Sequence, residues 1–222
     1  MLKDDTVTLK GIQPLIMHRD NIIYGEKVKA WQRNPDNKKI CCGGDDRTPA
    51  WTWIGFLYHD QDEVVINADN IRIMVREAGS KVPTGRRNGT YKRQTQEIVL
   101  GDVSAPLMIN GNRIPVASIL NLEEEPDFAR HLERVEAMGF ELLVKRVRIG
   151  TNKHVRVRPM FRKWRCTFIL SVIDEESSGL TMPVLNSILN VAGSQIGLCD
   201  WRPGSMHSGR FGMFEHTIRE GV

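Results

Sequence analysis

The chain contains no apolar run near the roughly 20 residues that a bilayer-spanning helix requires, which argues against a helical membrane protein. Cysteine is scarce. Of four, Cys41 and Cys42 are adjacent while Cys166 and Cys199 stand alone, which fits neither a disulfide framework nor a CxxC ligand pair. Reduced thiols are expected. The opening MLKDDTVTLK has two aspartates and no basic-then-apolar leader, so the sequence predicts a cytoplasmic protein. None of the six histidines stands in an HExxH or HxH spacing, and there is no Walker loop and no GxSxG elbow. Hydrolytic and nucleotide-driven chemistries lack an anchoring motif, and neither a cofactor nor a metal is expected.

What is present is an ordinary globular composition, with 41% apolar residues in a chain of 222. That length suits one core with elaborations, here one domain over 1–222 with insertions at about 32–50, 80–97 and 98–140. The net charge of +4 is modest but unevenly spread. Glu123, Glu124, Glu125 and Asp127 sit mid-chain between clusters of arginine and lysine.

Periodicity gives the elements. Alternation in Thr6 to Met17 reads as a strand that loses regularity at Pro14, and Tyr24 to Trp31 as a short helix. Trp51 to His59 and Glu63 to Ile66 read as a hairpin around HDQD. A helix follows, capped by Asn67 or Asp69, with Ile71, Met74, Val75 and Ala78 as its buried stripe and Gly79 at its end. Arg72 and Arg76 are one turn apart on its other face. Strands are expected at Ile98 to Leu100, Leu107 to Asn110 and Arg113 to Val116, with Asn110-Gly111 as a hairpin signal. Asp127 to Met138 should be amphipathic, burying Phe128, Leu132, Val135 and Met138. Further strands fall at Leu142 to Ile149, His154 to Arg158 and Lys163 to Ile173. A helix from Thr181 buries Val184, Leu185, Ile188, Leu189 and Ala192.

Three stretches carry candidate chemistry. In VKRVRIGTNKHVRVRP, Val144 to Pro159, two alternating runs flank a turn centred near Thr151 and Asn152. Period two then places Val147, Ile149, Val155 and Val157 on one face and Arg146, Arg148, His154, Arg156 and Arg158 on the other. So many cations on one ribbon face repel unless an anion neutralises them, and arginine forks match phosphate oxygens. The alternative is a solvated face paired with the acidic segment. The loop SKVPTGRRNGTYKRQTQE adds Lys81, Arg86, Arg87, Lys92 and Arg93, with Tyr91 able to stack on a base. Finally, GLCDWRPGSMHSGRFGMF reads as a close-approach loop, in which Gly204 and Gly209 allow tight turns and Arg202 and Arg210 are available for contact. Trp201 and Phe211 are further stacking candidates. His207 and His216 flank its last strand in structural or solvent roles, and Asp174, Glu175 and Glu176 mark a polar turn.

The opening TLKGIQPLIMHRD, the segment VVINADNIRIMVREAG and the closing helix running into GSQIGLCDWRPGSMHSGRFGMF together resemble the RAMP superfamily, the backbone-type subunits of CRISPR effector complexes. The match follows the family's order over most of the chain through short motifs: a PL-type turn after the first strand, an Arg-bearing helix, and a glycine-rich closing loop. The resemblance implies an α+β, ferredoxin-like fold of the modified RNA-recognition type, with an antiparallel sheet, helices on one face, a basic β-hairpin and long loops. Its six elements would be Thr6–Met17, Asp69–Gly79, Leu142–Ile149, Lys163–Ile173, Thr181–Gly193 and a final strand within Gly197–Phe214. It also implies binding along single-stranded RNA with subunits stacked side by side, or a stand-alone, phage-encoded relative without a guide. Arg72, Arg76, Lys81 to Arg93, the cationic hairpin and the loop with Arg202 and Arg210 would line the strand. Some members cut RNA with a loop aspartate. None of Asp20, Asp36, Asp45 and Asp46 stands in a context that marks it as that residue, so cleavage does not carry over.

The expected function is non-catalytic, largely sequence-independent binding of single-stranded nucleic acid, RNA before DNA, with no membrane partner. Two alternatives are a metal-dependent RNA endonuclease using loop carboxylates and an interaction or inhibitor protein docking a basic surface on an acidic partner. On the first reading, replacing Arg146, Arg148, Arg156 and Arg158 together weakens binding and leaves the fold intact.

Overall fold

The computed structural model describes residues 3–102 and 104–221. In chain order the elements are β1 (Lys3–Gly11), β2 (Leu15–Ile16), α1 (Ile22–Arg33), β3 (Val65–Asn67), α2 (Ala68–Gly79), β4 (Ile98–Leu100), β5 (Ser104–Ile109) and β6 (Asn112–Arg113). They continue as α3 (Val116–Leu120), α4 (Phe128–Ala137), β7 (Glu141–Ile149), β8 (Asn152–Phe161), β9 (Trp164–Val172), α5 (Glu175–Ser178), α6 (Met182–Val191) and β10 (Phe214–Arg219). They form an α+β protein with antiparallel sheets, in two compact units. One comprises Met1–Leu15, Val65–Arg113 and Arg162–Val222, the other Ile16–Val64 and Ile114–Phe161.

The first unit is built on a sheet of order β10–β1–β9–β5–β3, with β4 also paired to β9 and β6 to β5. Its described ladders are antiparallel. Strict alternation makes one side of the sheet apolar: Val7, Leu9, Cys166, Phe168, Leu170, Leu107 and Ile109 are buried. The other side carries Thr6, Thr8 and Lys10 of β1 beside Arg165, Thr167 and Ile169 of β9. In α2 the apolar residues at helical spacing are the ones buried, namely Ile71, Met74, Val75 and Ala78. Asn67 caps it, its side-chain oxygen accepting from the Asp69 amide at 2.8 Å. In α6, Leu185, Ile188 and Leu189 are buried. The expected sheet includes a strand at Leu142–Ile149. The strand that pairs β9 on the side away from β1 is β5, and Leu142–Ile149 lies in the other unit. The last strand follows the glycine-rich stretch instead of lying within it.

In the second unit, β2, β8 and β7 form a three-stranded sheet. The run Ala50–Phe56 coils as a 3-10 helix with six consecutive buried residues, not as the expected strand. A continuous apolar run has no period to choose strand over helix, and only an isolated bridge, His59 to Val64, remains of the predicted hairpin. Trp53, Phe140 and Phe161 stack through the core, with centroids 6.0 and 5.1 Å apart. Helix α4 is capped by Asp127, and its buried face is His131 and Val135, while Leu132, expected in the core, is 37% exposed. His131 sets that rotation: one ring nitrogen accepts from the Trp53 indole at 3.0 Å and the other donates to the Glu125 carbonyl at 2.8 Å. No helix among the described residues is long and apolar enough to cross a membrane.

Candidate nucleic-acid interface

The residue types that recognise phosphate divide here into those already held by carboxylates and those that are not. The hairpin of β7 and β8 turns through Gly150 and Thr151, with Ile149 opposite Asn152 and Gly150 at φ +60°. A two-residue turn pairs residues of opposite parity: Arg146 faces Val155, Arg148 faces Lys153, Lys145 faces Arg156 and Val147 faces His154. Arg146 and Arg148 therefore project from one face and His154, Arg156 and Arg158 from the other, which corrects the expected single cationic face. The Ile149 side chain lies outside the described residues.

The second group is structural in its contacts. Asp46 is 7% exposed. Its two oxygens accept from Arg156 at 2.7 Å, Arg158 at 2.9 Å and the Val157 amide at 3.2 Å. Arg158 also lies over the Phe56 ring, 4.1 Å from its centroid, and contacts His18 at 3.2 Å. The segment before it runs along β8, with the Val155 amide donating to Gly44 and the Asp46 amide donating to Val155. Gly44 is required there, because a Cβ would fall 2.2 Å from the His154 ring. His154 packs half-buried, with Nδ1 unpartnered. Arg148 bonds the Gly150 carbonyl, and Arg146 is exposed with no ion pair among the described residues. Of the aspartates considered for cleavage, Asp46 is engaged by these three donors, and Asp45 is clasped by Arg47, which holds its carboxyl below the ordinary range. Among the described residues no cluster of histidine, cysteine, aspartate or glutamate is placed to hold a metal ion.

The glycine-rich stretch closes on itself. A Cβ on Gly209 would lie 1.9 Å from the Trp201 carbonyl, and one on Gly212, at φ +69°, 2.0 Å from that of Leu198. Phe211 packs on Trp201 with centroids 5.5 Å apart. Arg202 is engaged by Glu77 of α2 through a bidentate pair of 2.6 and 3.0 Å, so it acts as a strut for this loop. Arg210 is exposed and makes no ion pair among the described residues.

No family model matches the chain. A search of curated proteins likewise finds no significant relative.

The unheld cations concentrate in one segment. Arg72, Arg76, Lys81, Arg86, Arg87, Lys92 and Arg93 are all exposed, and none makes an ion pair among the described residues. They belong to the first unit, whose sixteen lysines and arginines against twelve aspartates and glutamates account for the chain's excess of +4; the second unit has fifteen of each. The turn-rich segment is pinned at its base, where the Tyr91 amide donates to Val82 at 3.0 Å and the Thr95 amide to Tyr91. Between α2 and β4 a groove of about 520 Å³ runs from the capped start of the helix past Arg72 to Asp102. An adjoining hollow of about 280 Å³ takes in Arg72, Ile73 and Arg76. Ile98 and Leu100 give both an apolar wall, while Asp69 adds a carboxylate.

Proposed function

We propose that the protein binds single-stranded nucleic acid, RNA in the first instance, without cutting it, through the Arg72–Arg93 segment and the groove beside α2. The observation that carries this reading is one segment with seven exposed cations that make no ion pair among the described residues, two of which, Arg72 and Arg76, line hollows with an apolar wall. Such a surface suits a flexible strand whose phosphates meet arginines while its bases lie on apolar side chains. The resemblance to the RAMP superfamily is supported by the order β10–β1–β9–β5, with α2 between β1 and β5 in sequence and α6 between β9 and β10. We read this order as that of a split βαβ pair in a ferredoxin-like sheet. Side-by-side assembly along a longer strand belongs to the same reading.

The test is fluorescence anisotropy of a labelled oligoribonucleotide across a salt series. If each of the seven cations neutralises one phosphate, the single-strand slope of about −0.7 per contact sums to about −5. A rise from 50 to 200 mM salt then weakens binding by roughly a thousandfold. Absence of binding at 50 mM overturns the reading.

A further inference from the structure

A second cluster of unpaired cations lies away from that groove, at one end of the open side of the first unit's sheet. The register puts Lys10 of β1 opposite Arg165 of β9, and Arg165 opposite Met108 of β5, so three side chains stand in one row on one face. Lys163 joins them around a cleft of about 390 Å³ beside the Asn110-Gly111 turn. All three cations are exposed, and none makes a hydrogen bond or ion pair among the described residues. Glu215 faces Lys10 from β10 but does not pair with it.

The backbone under the cleft is held from the buried side of the sheet. Trp164 is 2% exposed and donates its indole N–H to the Gln13 carbonyl at 2.9 Å. Gly11 allows the ring to lie against the backbone, since a Cβ there would be 2.2 Å from Nε1. Like charges directly across an antiparallel pair are destabilising, and the β1–β9 register keeps Lys10 and Arg165 in that arrangement. An anion relieves it. A phosphodiester offers one charge at each position, whereas a phosphomonoester carries close to two at neutral pH with three acceptor oxygens. Three cations around one cleft match the second better.

We infer that this cleft is a phosphomonoester site that takes the terminal phosphate of the bound strand. The strand-end assignment rests on the binding function proposed above; the phosphomonoester chemistry stands on the cleft alone. The volume lies within the range of small-ligand sites, which run from about 300 to 1,000 Å³.

The experiment uses the full chain and a ten-nucleotide RNA in four forms: 5′-phosphate or 5′-hydroxyl with the label at the 3′ end, and the mirror pair with a 3′-phosphate. Alongside it, the Trp164 indole and Gly11 amide NMR signals are followed on addition of inorganic phosphate and of a nucleoside 5′-monophosphate. One phosphorylated end is expected to bind at least fivefold tighter than its hydroxyl counterpart. The triple variant Lys10→Ala, Lys163→Ala, Arg165→Ala abolishes that difference and leaves the hydroxyl-ended RNA within twofold of its affinity. Signal shifts with the small phosphates but no binding of any RNA support the phosphomonoester site and overturn the strand-binding function. Shifts with equal affinity for all four RNAs overturn the strand-end assignment and leave a small-phosphate site. No shifts and no end preference overturn the inference, while a salt-dependent affinity in the same titrations leaves strand binding standing.

Discussion

Replacing Asp46 separates arginines that hold the fold from arginines that can hold a ligand. The carboxylate satisfies Arg156, Arg158 and the Val157 amide at 2.7, 2.9 and 3.2 Å. In Asp46→Ala all three donors lose that acceptor. The Arg158 side chain is only 12% exposed and that of Arg156 31%, so Arg158 cannot regain full hydration in place while Arg156 partly can. Removing one partner of a buried pair costs about 3–5 kcal/mol, and the partial exposure of Arg156 argues for the low end, about 3 kcal/mol. With a urea m value of about 2 kcal/mol/M, the unfolding midpoint falls by about 1.5 M. Asp46→Asn, which keeps the shape and one acceptor oxygen, falls between. Tryptophan fluorescence is a suitable readout because Trp51 and Trp53 are buried in the same unit. A midpoint shift below about 0.5 M, near 1 kcal/mol at that slope, refutes the assignment of Asp46 as an anchor. The earlier expectation that four hairpin arginines could be replaced without touching the fold is revised accordingly: Arg156→Ala with Arg158→Ala loses stability, and Arg146→Ala with Arg148→Ala does not.

Other outcomes follow from the same geometry. Arg72→Ala with Arg76→Ala flattens the salt dependence of single-strand binding by about 1.4 in slope, with the thermal midpoint unchanged. Gly212→Ala forces a side chain into a left-handed backbone and onto the Leu198 carbonyl, costing about 2 kcal/mol or more, read as a lowered melting temperature. Burial holds His216 below its ordinary value of 6.5, so the unfolded chain takes up the proton first. Stability is therefore present above that pH and declines as pH falls below it, and a melting series from pH 7 to 5 is shallower in His216→Gln. Burial also raises two thiols, Cys199 to about 12 and Cys166 further. Alkylation at pH 8 followed by mass mapping modifies exposed Cys42 in the native protein and reaches buried Cys166 only after unfolding, with half-buried Cys199 reacting more slowly than Cys42.

Local patterns were readable wherever one face of an element is buried. The α2 stripe, its Asn67 cap and the Asn110-Gly111 turn, whose residues have φ of 50° and 85°, all follow from spacing and turn chemistry. What failed depends on partners remote in sequence. Parity within each hairpin strand was correct, but a two-residue turn, wherever it is centred, pairs residues of opposite parity, so the arginines of the two strands fall on opposite faces. Leu132 has the helical spacing of a core residue, yet the Trp53 bond to His131 turns α4 away from it. Arg156 and Arg202 are ordinary cations in the sequence, and their carboxylates are 110 and 125 residues away. Nothing in the local sequence joins Lys10 to Arg165. Their alternation with Leu9 and Cys166 marks both as outward-facing, but only the β1–β9 register brings them to one cleft.

That register also bears on how the protein is made. Thr8 and Thr167 bond across β1 and β9 over a separation of 159 residues, and β10, the other neighbour of β1, comes later still. At translation rates of about 5–20 residues per second, β1 spends roughly 8–30 s without either partner. Throughout that interval Val7 and Leu9 have no sheet to enter and both edges of the strand are unpaired. Yield in a cell should therefore respond to holding chaperones and to growth temperature more sharply than the equilibrium stability of the finished chain would suggest.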